Sequence, residues 1–556
     1  MRLLERFWTT ATYVLHWLTN SPVGTPQTPQ APLGGNLDTP HDVHHPHAPI
    51  GAVPDIGIEV GPPRGPGFKP PTGRPPGRPG SDFLCEYPTL VDYVPCSTPY
   101  DRGCWLLNRR TLQEYNIHTD YENIMPKGID RYYTLRASDG PINADGMVMQ
   151  PGKRFNSSFP GPWIQACWGD TLHVTVINDL TENGTSIHWH GIRQLNSMQS
   201  DGVNGVTQCP IAPGDRYTYV MNLTQYGSSW YHSHYSVQYA DGLQGPITIH
   251  GPSSANYDEA KFPLIMTDWG HNSAFEAIYR AFFRLDPDPL GKPSILLNGT
   301  GNVTRFSGNR ATALVPSTFQ MTFDPPGPFG PRRYLLRLIN TAFETTFTFS
   351  IDNHLLKVIA ADFVPIVPYF TRSVTVSIGQ RYNIIVVADQ WRNSDTNFWI
   401  RTTIQTDCPG PDVIPGSIEG YERTGILRYD ASSKATPTSF PWRPDYIKTC
   451  EDEPAASLVP ILPWNVGKAA NGAGDGEEFG IGFRSGANQY PLKLFNFNPE
   501  SSTGYNFQIN YSEPILLDLE HTGSFPNQWV VVPENYKDTD WVSSCCCPSS
   551  TPEACS

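Results

Sequence analysis

The sequence has no long apolar run beyond its first residues, no C-x-x-C pair, no excess of basic residues and little helical periodicity. Each shortage excludes something. Without about 20 consecutive apolar residues, no internal segment reads as a stable membrane span. Without C-x-x-C spacing, the eleven cysteines look less like zinc ribbons than an oxidised framework, several of them lying near Pro and Gly. Lys and Arg number 39 against 53 Asp and Glu, a formal charge of −14, which argues against a nucleic-acid partner. Proline 55 and glycine 48 argue against long helices, whereas Trp 14, Tyr 26 and Phe 26 suit β-sheet surfaces and cores.

What the chain has instead is two His-x-His pairs, His188-Trp-His190 and His232-Ser-His234, each in a run that reads as a strand or strand end. Residues i and i+2 of a strand point to one face, so each pair presents two imidazoles to one side. Two such strands side by side would gather four imidazoles, a donor set suited to copper, zinc or iron rather than magnesium or calcium. A lone strand histidine is more often a satisfied core residue than a ligand, and His173, alternating inside a strand, is read as structural.

The 556 residues leave room for about three domains. Residues 1–84 form a Pro/Gly-rich N-terminal region expected to be disordered, because such a stretch buries too little apolar surface to offset its ordering entropy. Its first residues, with Arg2 and Arg6 before Phe7 to Leu18, read either as a signal or anchor segment or as a mispredicted first exon. The cluster His41 to His47 reads as a solvated tail.

Strand-like runs follow: Tyr132 to Leu135, Thr171 to Ile177, Tyr217 to Val220 and Pro246 to Ile249 in a block over 85–252. A second block over 257–406 contains Phe262 to Thr267, Arg333 to Ile339, Leu355 to Ala360 and Arg381 to Ala388, with a short helix expected over Phe275 to Phe283. A third block over 420–556 opens near Gly425-Ile-Leu-Arg-Tyr429 and fades into the aperiodic tail Cys545 to Ser556. Period-2 runs bounded by Gly, Pro, Asn and Asp indicate an all-β chain of sandwiches or barrels. Cys96 and Cys104 enclose a short loop and are expected to pair; Cys167 reads as a small buried hydrophobe. Sequons at Asn156, Asn183, Asn222, Asn298, Asn302 and Asn510, together with the cysteines, favour a secreted, extracellular protein.

The stretch His188-Trp-His-Gly-Ile-Arg-Gln194 runs on into Asp201-Gly-Val-Asn-Gly205, and Trp230-Tyr-His-Ser-His234 runs on to Gly245-Pro246. These closely resemble the first two copper-binding segments of multicopper oxidases, the nearest group being fungal, ascomycete-type laccases. Leu296 to Thr300, Arg337 to Thr341 and Ile378 to Asn383 resemble that family's second domain, and Cys96 to Trp105 its mature N-terminal region. The likeness covers roughly Cys96 to Pro533.

The resemblance implies tandem cupredoxin-like Greek-key sandwiches and a copper enzyme that oxidises phenols one electron at a time and reduces O₂ to water. By that likeness His188 is a type 2 copper ligand, and His190, His232 and His234 are type 3 ligands. Trp189, Trp230 and Tyr231 would pack and dry the site. Asp201 matches an acidic position near the cluster, a candidate for proton delivery, and is otherwise a turn residue before Gly202. Glu276 aligns loosely with a carboxylate proposed to take the phenol proton, and is otherwise a solvated helix residue. The likeness also pairs Cys408 with Cys450 and gives Cys209 a partner near the mature C-terminus, where the run Cys545 to Cys547 stands in this sequence.

The sequence departs from the family in its third block. Neither a His-Pro-x-His-Leu-His-Gly-His segment nor a His-Cys-His segment occurs, and the histidines after His234 are the isolated His250, His271, His354 and His521. A type 1 copper site needs a thiolate with two imidazoles, and no such set stands in these residues. The expectation is a third domain that is incomplete, through a truncated gene model, frameshift or retained intron, and a copper-binding fragment without turnover as the alternative to an active laccase. An incomplete sandwich leaves open strand edges, which favours aggregation.

Overall fold

Strands with alternating burial where one face meets solvent, and continuous burial where both faces are covered, build the architecture. In a computed structural model, residues 64–71, 83–282, 294–301, 318–326, 330–391, 396–405, 422–442, 451–464, 481–484, 494–497, 510–512 and 514–517 are described. The N-terminal leader, the His41 to His47 cluster, Asn302, the expected Cys408–Cys450 pair and Cys545 to Cys547 lie outside these residues.

The first sandwich comprises β1 (Asp130–Asn143), β2 (Val148–Phe155), β3 (Ile164–Cys167), β4 (Thr171–Asp179), β5 (Ile187–Trp189), β6 (Arg216–Asn222), β7 (Gly227–Ser233) and β8 (Gln244–His250). One sheet runs β5-β7-β8-β3 and the other β6-β4-β1-β2. In β4, Leu172, Val174 and Val176 alternate inward while His173 faces outward, stacked on Tyr132 and within 3.1 Å of Asp130. The inner faces bury Trp105, Trp168, Val176, Tyr219, Tyr231 and Ile247 in one core. Burying a large apolar side chain of this kind contributes about 1.5–3 kcal/mol. Strand β8 is buried along its whole length, because the first core covers one face and the second sandwich the other.

The second sandwich contains β9 (Leu264–Trp269), β10 (Ser294–Leu297), β11 (Phe319–Thr322), β12 (Arg333–Asn340), β13 (Phe347–Ile351), β14 (Leu356–Ala361), β15 (Val364–Thr371), β16 (Ser373–Val376), β17 (Arg381–Val387), β18 (Asn397–Ile404) and β19 (Arg423–Arg428). One sheet includes β10-β9-β12-β17-β14-β15 and the other runs β11-β19-β18-β13-β16. Its core joins Leu336, Leu338, Phe347, Phe349, Ile384 and Leu427. The expected helix is present as α1, Ala274–Phe282. Its first turn is fixed by the Asp241 carboxylate, which accepts from the Ala274 amide at 2.6 Å and the Ser273 hydroxyl at 2.8 Å.

Two expectations need correction. The run expected to open a third block, Gly425 to Tyr429, lies in and directly after β19, which pairs antiparallel with β18 and parallel with β11 inside the second sandwich. A short apolar run such as Ile426-Leu427 states that a strand forms, not which sheet it joins. Cys167 is not a free core thiol: it is bonded to Cys85, 82 residues earlier, alongside the expected Cys96–Cys104 bond. The Cys85 bridge ties the segment ahead of the first sandwich to β3. Closing a loop of that length stabilises by about 4 kcal/mol in the chain-entropy account. Replacing Cys85 and Cys167 together by alanine should therefore lower the urea midpoint substantially. Unchanged stability, or labelling of Cys167 by a thiol reagent without reductant, would refute the bridge.

Candidate metal centre

Strands β5 and β7 pair antiparallel with His188 directly opposite His232. The pairing continues beyond β5: the His190 amide donates to the Trp230 carbonyl at 3.1 Å, and the His234 amide to the Ser186 carbonyl at 2.9 Å. The two pairs thus face one another as their spacing requires. One ring nitrogen from each of His188, His190 and His232 falls in a group within 4.8 Å. The ring of His234 lies 5.6 Å from that of His188 and 6.2 Å from that of His232. All four sequence-predicted ligands are brought together.

Alternation also sorts the aromatics. Trp230 shares a face with His232 and stacks on it at 4.1 Å and on His190 at 5.1 Å, filling the space between two ligands. It also meets Ile265 and Ile339 of the second sandwich, so the site lies against the seam. Trp189 and Tyr231 point the other way, into the core of the first sandwich, where Trp189 packs on Tyr219. They anchor the strands from behind.

Hydrogen bonds orient two of the imidazoles. Nδ1 of His188 donates to the Asp201 carbonyl at 2.8 Å, and the Asp201 carboxylate stands 3.3 Å away. Nδ1 of His232 donates to the Ser233 carbonyl at 3.0 Å. Each bond fixes a tautomer that leaves Nε2 as a free lone pair, the usual way a protein prepares a histidine ligand. The Asp201 loop reaches His188 because Gly202, at φ +82°, crosses close over β5; a Cβ there would meet the Ile187 carbonyl oxygen. Behind the cluster, Gln238 accepts from the hydroxyls of Thr185 and Ser233 at 2.7 and 2.6 Å, and Asn204 donates to the His234 carbonyl at 3.1 Å.

The electrostatics favour the neutral imidazole at three of the four histidines. Burial, then the Arg381 charge, lowers His190 to about 3. Burial and neighbouring histidines push His232 well below its ordinary value, and burial, then the His188 charge, lowers His234. His188 differs: burial pulls it down, but its hydrogen bond to Asp201 and that residue's charge together raise it. His190 and His232, kept neutral by burial, and His188 and His234 beside them form an all-imidazole donor set of the kind copper takes, so the residues present fit that metal.

Glu276 is placed elsewhere in its bonding. It sits half-exposed on α1, and its carboxylate pairs with Arg280 at 2.7 Å, one turn on, rather than with a histidine of the cluster. The sequence reading missed the contribution of the second sandwich: Arg381, 3% exposed, lies beside Gly191 and donates to the Ser228 carbonyl. Ile378 to Asn383 was noted as a family segment, but no local pattern says that its turn reaches the first sandwich.

Residues 136–254 and 260–432 each match a family model described as multicopper oxidase. The chain is 40% identical over 476 residues to a laccase of Arthroderma benhamiae, covering 82% of this chain and 69% of that one. It is 41% identical over 447 residues to Laccase-2 of Botryotinia fuckeliana, covering 79% and 70%. The crystal structure of a laccase from Botrytis aclada superposes with a TM-score of 0.65 at 41% identity, covering 79% of this chain and 74% of that one. The paired histidines on adjacent strands of a sandwich and these relatives lead to one conclusion: the chain belongs to the multicopper oxidase family, a family of oxidoreductases, and to its fungal laccase-like branch.

Proposed function

We propose that the chain binds copper through His188, His190, His232 and His234 and serves a laccase-type reaction, the one-electron oxidation of phenolic donors coupled to reduction of O₂ to water. The observation that carries this reading is the juxtaposition of the four imidazoles across β5 and β7. Copper held by these histidines would supply the one-electron redox chemistry. The protein's part is positional. Asp201 and the Ser233 carbonyl hold two rings in a ligating tautomer, and Trp230 excludes water from between His190 and His232. The Asp201 carboxylate, 28% exposed and 3.3 Å from His188 Nδ1, is our candidate for proton delivery to the cluster. Glu276 remains a candidate acceptor of the phenol proton, in competition with its Arg280 pairing. An extracellular location accords with the cysteine bridges; among the described residues no helix is long and apolar enough to cross a membrane.

A second reading, copper binding without turnover, is favoured by one sequence observation: no His-Cys-His segment occurs in these 556 residues to supply a type 1 site's thiolate and imidazoles. One experiment separates the two. The full chain is loaded with copper, its metal content and visible spectrum are recorded, and O₂ uptake is followed with a simple phenol. Bound copper without intense blue absorption or phenol oxidation would favour the second reading. Phenol-dependent O₂ uptake would establish the laccase reaction for this chain, and absence of bound copper would remove both readings.

A further inference from the structure

The turn that joins β16 to β17 is built as a wall for one histidine. Gly379, at φ +80°, sits so close to the His190 ring that a Cβ on it would lie 2.7 Å from Cε1 and 3.0 Å from Nε2. Real side-chain carbons do not approach a ring carbon that closely, so the turn and the imidazole are already at contact. The turn is itself held from three directions. The Gly379 amide donates to the Asn340 carbonyl at 2.9 Å. The buried Arg381 guanidinium donates to the Gly379 carbonyl and to the Ser228 carbonyl, both at 3.1 Å, and pairs with Asp362 at 2.9 Å. From outside, the Asp452 carboxylate accepts from the Ser377 hydroxyl at 2.7 Å and from the Gln380 amide at 3.1 Å. The residue after His190 is shaped to match: a Cβ on Gly191 would lie 2.5 Å from an Arg381 nitrogen.

We infer that the Ser377–Arg381 turn of the second sandwich is a stop that sets the orientation of the His190 imidazole, with Gly379 and Arg381 as positioning residues and Asp452 as their outer clamp. None of these residues is placed to donate to a metal. The turn acts through His190, and its functional meaning rests on the copper role proposed for that residue. A ring that turns freely about its side-chain torsions presents its lone pair in many directions, whereas one pressed against a fixed turn presents it in few, which favours binding before any metal arrives.

The fold contains its own control. Gly214 has nearly the same backbone conformation, φ +82°, but a Cβ there would meet nothing within 4 Å. Gly379→Ala and Gly214→Ala therefore impose the same left-handed backbone penalty, and only the first presses on His190. The full metal-free chain would be isotope-labelled at histidine Cε1, and the His190 signal assigned through His190→Gln. The expected result is that this signal moves in Gly379→Ala and stays in Gly214→Ala. Copper retained against a competing chelator should fall about tenfold or more in Gly379→Ala relative to Gly214→Ala. An unmoved His190 signal, or equal shifts in both variants, would overturn the inference. If the signal moves as expected but the intact chain takes up no copper, the proposed function fails and the positioning role stands. Should Gly379→Ala not fold, Asp452→Ala, distant from the ring, loosens the same turn; a smaller shift of the same signal is expected, and no shift counts against the clamp.

Discussion

His232→Gln is expected to bind copper more weakly than the intact chain by more than the roughly 10- to 100-fold that follows loss of a residue merely supporting a ligand. His232 is the most enclosed of the four histidines, 8% exposed, directly opposite His188 in the ladder and stacked on Trp230. Its Nδ1 is spent on the Ser233 carbonyl, so its contribution to a metal is a single, already oriented nitrogen. Glutamine keeps most of the volume, which limits repacking around Trp230, but it has no imidazole lone pair. The check is a chelator competition on both proteins, with thermal melting of the metal-free forms as the control for folding. Equal copper affinity in the two would mean that the cluster is not the metal site.

The second large effect is on stability. Arg401 and Asp352 form a two-pronged ion pair at 2.7 and 2.8 Å in the second core, with side chains 2% and 0% exposed. Asp352 also accepts from the Ser439 hydroxyl at 2.8 Å, and a further carboxylate, Glu422, reaches the far side of the guanidinium. Asp352→Asn keeps the shape and removes the charge, leaving a buried guanidinium facing amide donors. A broken buried pair costs about 3–5 kcal/mol, and the remaining Glu422 contact places the expected loss near the lower end. Replacing both partners by apolar residues, Asp352→Leu with Arg401→Met, should cost less than the single change, because no charge is then stranded. Urea unfolding of the three proteins decides this; a single variant as stable as the intact chain would show that the pair carries no net weight.

Much of the site was legible because its signal has a short period. His188-Trp-His190 and His232-Ser-His234 each state a facing direction by alternation alone, and strand pairing needed only to bring them opposite. The strand at Thr171 to Asp179 was legible for the same reason, whereas Arg333 to Asn340 is buried on both faces and shows as an apolar run. What was not legible is long-range. The partner of Cys167 lies 82 residues earlier, and nothing local distinguishes a bridged cysteine from a buried one. The strand at Arg423–Arg428 looks alike whether it begins a new sandwich or completes the old one; it joins β11 and β18 because their edges are there to receive it. Gly379 belongs to a turn whose sequence states its conformation but not that a histidine lies across from it.

The wall of the cluster has a consequence for how the protein is made. Synthesis runs from the N-terminus, so the four histidines emerge well before Gly379 and Arg381 do. A first sandwich folded on its own would present His190 without its stop and Trp230 without Ile265 and Ile339 against it. Metal arriving at that stage would meet a looser and wetter set of imidazoles, open to whichever divalent ion is at hand. Were copper to bind there as proposed, loading after the second sandwich has closed over the first would meet the histidines already oriented, and the order of assembly would become part of the selectivity of the site.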